Sequence, residues 1–118
     1  RAQGKHDEAL SLLEPAERAA RREFADGNAR RLASFLVTLG RAREGLGYDP
    51  DRFPLAEANL LEAYPIFLEA RGEKHKETLG CAQGLVDLYT AWDAADPAKG
   101  HDAKAAEWKA KLDAAMTE

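Results

Sequence analysis

The sequence has a single cysteine, Cys81, so no intrachain disulfide can form and a reducing, cytoplasmic setting is expected. Basic residues do not outnumber acidic ones. Against 21 Asp and Glu stand 17 Lys and Arg, a net charge of −4, which argues against the basic face of a nucleic-acid binder. No apolar run approaches the ~20 residues of a membrane span, and no signal-peptide pattern opens the chain. With 9 glycines and 5 prolines, placed mostly at breaks, disorder is expected only at the ends. The period-two alternation of a strand is missing, as are a glycine-rich phosphate loop and a nucleophile motif. The acidic pairs Glu57/Glu62 and Asp49/Asp51 lack a partner for acid–base work. His6, His75 and His101 lie far apart at helix starts or joints, where capping and turn packing suit them better than a metal site. Neither catalysis nor a metal nor a cofactor is expected.

What remains is helical. The chain of 118 residues, 45% apolar and 32% charged, fits one small domain with its own core. It opens on Arg1 rather than Met and enters a helix almost at once, which leads to the expectation of a fragment of a longer protein. Apolar residues from Ala9 to Phe24 recur at helical spacing, so a first helix is predicted from about His6 to Ala25, with Pro15 bending it or marking its true start. Asp26, Gly27 and Asn28 make a turn. Leu32, Phe35, Leu36 and Leu39 form the stripe of a second helix over 29–44. A long loop follows at 45–51, with Tyr48 tucking back onto the helices. A third helix is predicted over 53–70, with Pro54 in the tolerated first turn and Pro65 inside. The fourth covers 76–94 and the fifth 102–116, separated by a loop at 96–100. Small residues Ala56, Ala63 and Gly84 mark close helix approaches, with Leu60, Phe67, Leu85 and Tyr89 one turn away. Trp92 and Trp108 read as packing residues placed to meet each other, and Cys81 as a small core residue.

The chain also repeats. Aligning Ala9, Ala56 and Ala105 gives offsets of 47 and 49 residues, and Leu36–Gly40 matches Tyr89–Asp93. Helix pairs at such spacing indicate stacked units that cannot bury their apolar faces alone. The motifs Leu32-Ala33-Ser34-Phe35-Leu36, Leu85-Val86-Asp87-Leu88-Tyr89 and Gly4-Lys5-His6-Asp7-Glu8-Ala9, with Gly40, Phe53 and Ala56 across an insertion, resemble tetratricopeptide repeats. The joint from Gly72 through His75 to Thr78-Leu79 is similar to the longer repeats of kinesin light chains. Leu60-Leu61-Glu62-Ala63-Tyr64-Pro65 and Ala106-Glu107-Trp108 resemble the tails of bacterial serine/threonine kinases and regulators.

The resemblance implies an all-α fold of about five helices, antiparallel hairpins stacked in a short right-handed superhelix. Residues 1–27 would hold the second helix of a partial repeat, 28–72 a repeat, and 73–118 a repeat with a capping last helix. It further implies a non-catalytic interaction module, binding a peptide or partner helix in a concave groove. The groove would be lined by Arg30, Arg31, Ser34, Val37 and Thr38, then by Gln83, Asp87, Thr90 and Ala91. Two adjacent guanidiniums suit an acidic partner, and Arg18, Arg21 and Arg22 would extend a basic stripe. The alternative is that these arginines are solvated or pair with Glu14, Glu17 and Glu23 at helical spacing. A second function class also stays open: a structural or self-associating element, dimerising where the incomplete first repeat leaves Leu10, Leu13 and Phe24 without a neighbour.

Overall fold

A computed structural model describes residues 14–24, 29–45 and 52–117. Among them are five helices and no strand: α1 (residues 14–23), α2 (Ala29–Glu44), α3 (Arg52–Arg71), α4 (Lys76–Ala95) and α5 (His101–Met116). The start of the first helix with His6, Leu10 and Leu13, the turn at Asp26–Asn28 and the loop with Tyr48 lie outside the described residues. Pro15 stands within α1, one residue after the description begins.

Local chemistry sets the helix ends. The α3 helix stops because Gly72 adopts φ +87°, and its N–H returns to the Leu68 carbonyl at 2.9 Å. This is the left-handed cap that glycine adopts without a Cβ penalty. The α4 helix starts at His75, whose Nδ1 accepts the Glu77 N–H at 3.1 Å. That histidine therefore has the capping role read from sequence. At the far end the Asp96 N–H bonds the Trp92 carbonyl at 2.8 Å, and Pro97 follows. Pro65 sits inside α3 on its exposed side, where water can satisfy the carbonyl its ring leaves without a donor.

Helices α2 and α3 form one antiparallel hairpin, and α4 and α5 another, falling within 28–72 and 73–118. The α3 helix lies between α2 and α4, and one continuous core runs through both hairpins. Leu36, Leu60, Leu85 and Leu88 are fully buried there, with Ala33, Ala56 and Ala63 where backbones approach. The closest approach is at Gly40, where an added Cβ would sit 3.3 Å from both the Ala56 carbonyl oxygen and Leu60 Cγ. Cys81 is the small core residue expected, donating its thiol to the Leu60 carbonyl at 3.3 Å. The tryptophans make separate ring contacts rather than meeting. Trp92 stacks with His101 at 4.0 Å and with Phe53 at 5.5 Å, while Trp108 meets Tyr64 edge-on at 4.7 Å.

Burial repeats every 49 residues. Ala33, Leu36, Leu39 and Gly40 of α2 correspond to Ala82, Leu85, Leu88 and Tyr89 of α4, and all eight are buried. The match of Leu36–Gly40 with Tyr89–Asp93 implies an offset of 53 and is corrected, because it sets buried Gly40 on half-buried Asp93. The two offsets differ by four residues, about one helical turn. Apolar stripes shifted by a turn look alike in sequence, and only burial separates them.

Candidate functional site

A cleft of about 240 Å³ opens between α2 and α4. On the α2 side Ser34, Val37 and Arg41 share a face at helical spacing, and α4 contributes Glu77, Gly80 and Cys81. Phe67 of α3, itself buried, forms the floor. The two walls run parallel: Ser34 faces Glu77, and Arg41 lies against Gly84, seven residues further along each helix.

The charged ends differ. At one, Ser34 Oγ donates to Glu77 Oε2 at 3.1 Å, and Arg71 Nε approaches Glu77 Oε1 at 3.4 Å from outside the cleft. At the other, the Arg41 guanidinium occupies the space left by Gly84, where an added Cβ would lie 3.2 Å from Nη2. Its carboxylate neighbour, Asp87, is 3.8 Å away, a loose pair, and the Arg41 side chain is 46% exposed. A second hollow of about 270 Å³ lies beyond it, against Glu44 and Gly45. Burial there pushes the Glu44 carboxyl above its ordinary range, Arg41 opposes the rise, and Asp87 adds to it. Cys81 is not a nucleophile in this cleft, because burial pushes its thiol up to about 12.

No family model matches the chain, and neither does any curated protein or solved structure. The site is therefore read from its own geometry.

Ser34 is the residue of the expected groove set that lines this cleft together with Val37, and Asp87 joins it through Arg41. Arg30 opens instead onto a hollow of about 380 Å³ between the start of α2 and the end of α3, with Ile66, Glu69 and Ala70. Arg31 is exposed, and among the described residues neither Arg30 nor Arg31 makes an ion pair. The remaining polar groups are occupied on their own helices. Thr38 donates to the Ser34 carbonyl, Thr90 to the Val86 carbonyl, and Gln83 to Asp87 at 2.9 Å.

The basic stripe is broken at Arg21. Its guanidinium is shared between Glu17 at 2.8 Å and Glu62 at 2.7 Å, which raises its pKa and holds the Glu62 carboxyl below its ordinary range. The pairing of Arg21 with Glu17 at helical spacing is thus the alternative reading realised.

Two residues were missed from sequence, Arg41 and Glu77. A signal for Arg41 existed. The 49-residue offset carries Thr90 back to position 41, whereas the 53-residue offset carries it to Val37. Glu77 gave no such signal, since its counterpart is Asn28 in the preceding turn. Among the described residues no group of His, Cys, Asp or Glu is placed to hold a metal ion, and no helix is long and apolar enough to cross a membrane.

Proposed function

We propose that the chain is a non-catalytic protein–protein interaction module, a tetratricopeptide-like stack of hairpins that seats a peptide or a partner helix. It would serve as part of a larger bacterial signalling or regulatory protein in the cytoplasm. The observation that carries this reading is the α2–α4 cleft, an apolar trough between two parallel helices with an ionic group at each end. Successive first helices expose their polar faces side by side, as such a repeat would require. In this proposal Ser34, Arg41, Glu77 and Asp87 form the centre of the groove. Thr38, Gln83 and Thr90 flank it, with Arg31 toward its α2 entrance and Arg30 on the neighbouring hollow beside Ile66.

Gly80 offers a clean test. It lines the cleft, and an added Cβ there meets nothing within 4 Å, so Gly80→Trp fills the trough without crowding the core. Panning a random peptide library on the chain, with counter-selection on Gly80→Trp, is expected to enrich peptides that bind only the open cleft. Enrichment of the same peptides on both proteins overturns the reading.

Self-association is the second reading, and one observation favours it. Pro54, Ala58, Leu61, Pro65 and Leu68 form an exposed stripe along α3, with both leucines 40% exposed. The spacing of that stripe is that of a coiled-coil seam. Sedimentation of the chain beside Leu61→Glu separates the cases, because only a dimer through this face loses mass on substitution.

A further inference from the structure

We infer that the α2–α4 cleft selects an extended peptide segment carrying a cation at one end and a carboxylate at the other, with an aliphatic side chain between. This rests on the proposed function and replaces a generally acidic partner with a bipolar one. Among the described residues the lining holds one cation and one anion: Arg41 and Glu77 face the cleft, while their partners Asp87 and Arg71 stand outside it. Arg41 is available because its pair with Asp87 is long and nearly half of its side chain reaches water. Its position is nonetheless fixed, since it fills the notch left by Gly84. Glu77 is held by Ser34 Oγ on Oε2, which aims the carboxylate across the cleft rather than along α4. Between them lie Val37, Phe67 and Cys81, which offer a ligand apolar contact and no free donor, because the Cys81 S–H is already given to the Leu60 carbonyl.

The dimensions agree. The two ends are seven residues apart on each helix, 34 to 41 and 77 to 84, hence about 10 Å along the axes. An extended chain covers that span in about three to four residues. A volume of about 240 Å³ admits one aliphatic side chain with its stretch of backbone. An all-acidic segment meets Arg41 but is opposed by Glu77 at the other end, with Glu44 and Asp87 close behind Arg41.

The test uses three blocked pentapeptides titrated into the isotopically labelled chain and followed by NMR: acetyl-Lys-Ala-Leu-Ala-Glu-amide, its Glu/Glu analogue and its Gln/Gln analogue. The bipolar peptide is expected to bind about tenfold more tightly than either analogue, the scale of one charge-assisted hydrogen bond in a partly dry site. Arg41→Gln should erase the advantage conferred by the Glu end, and Glu77→Gln that of the Lys end. Tightest binding by the Glu/Glu peptide, or equal binding of all three, overturns the inference. If that binding is still lost in Gly80→Trp, the peptide-groove reading survives. Binding indifferent to Gly80→Trp, or none by any of the three peptides, sinks the inference as well. Failure of the library panning to give cleft-dependent peptides then removes the function beneath it.

Discussion

The buried polar pair at Arg43 and Asn59 is the sharpest test of how α1, α2 and α3 are tied together. Arg43 is 4% exposed and Asn59 2% exposed, and Arg43 Nη1 donates to Asn59 Oδ1 at 2.7 Å. The same nitrogen lies 3.0 Å from Glu17 Oε1 of α1, while Arg43 Nε has no partner among the described residues. Replacing Arg43 by Met leaves the Asn59 amide buried without its donor, which costs about 1–3 kcal/mol. Loss of the partly buried Glu17 pair adds on the order of 1 kcal/mol, and release of a buried charge with an orphaned Nε returns part of the total. The net expectation is a loss of about 2–3 kcal/mol, or a drop of about 1–2 M in the urea midpoint for a chain of this size. Asn59→Leu alone should cost a similar amount, by leaving a guanidinium with Glu17 as its single anchor. The double variant Arg43→Met/Asn59→Leu should recover most of the loss and be more stable than either single, because two apolar side chains fill the same space with no buried amide or guanidinium left unpaired. Urea unfolding followed by the fluorescence of Trp92 and Trp108 measures all four proteins. Wild-type stability in Arg43→Met, or a double variant no better than the weaker single, would show that the pair does not hold this junction.

Three further outcomes follow from the same geometry. Gly80→Ala should stabilise the chain by about 0.5–1 kcal/mol, since alanine is the better helix former and its Cβ meets open space. Gly40→Ala should show no such gain, because its Cβ would press at 3.3 Å on the Ala56 carbonyl, a backbone atom that cannot swing away. Urea midpoints of the two variants settle both. Glu44→Gln should stabilise the fold at neutral pH and lose that advantage in acid. Burial raises the folded carboxyl above its ordinary 4.5, so the charged form opposes folding once the pH exceeds the folded value, and the penalty vanishes below 4.5. A gain that instead grew toward acid would reverse the sign of that effect. The Cys81 thiol, pushed up to about 12 and buried, should resist a thiol reagent in native buffer and react fully once unfolded.

Much of the fold was legible because its signals are local. Helix ends at Gly72 and His75 depend on residues within one turn, and sequence displays those directly. The stripe of Leu36 and Leu39 announced α2, and the small residues at Ala56 and Ala63 announced that a neighbouring helix comes close to α3. Less legible was the third helix, which is apolar nearly all round. Leu61 and Leu68 remain 40% exposed while Leu60 and Phe67, their neighbours in sequence, are buried, so its periodicity alone does not say which face meets the core. The small residue at the α2–α3 contact is Gly40, and Ala33 on the same helix is buried as well.

The candidate site was harder to read for a related reason. A groove is made by two helices side by side, so its membership depends on register, and an error of one turn exchanges one residue for its neighbour on the same face. That error took Val37 in place of Arg41 as the counterpart of Thr90 and left out a guanidinium that lines the trough. The conspicuous pair Arg30–Arg31 drew attention because adjacent charges are visible in a linear string. Adjacent positions on a helix point about 100° apart, however, and two neighbours cannot both face one ligand squarely. Arg41, Glu77 and Gly84 are separated by 36 and 7 residues in the chain and meet only when α2 and α4 lie parallel. The glycine supplies no charge, yet its missing side chain leaves the guanidinium its place. A cleft of this type leaves no contiguous motif, and within the chain itself the trace it leaves is the recurrence of buried positions every 49 residues.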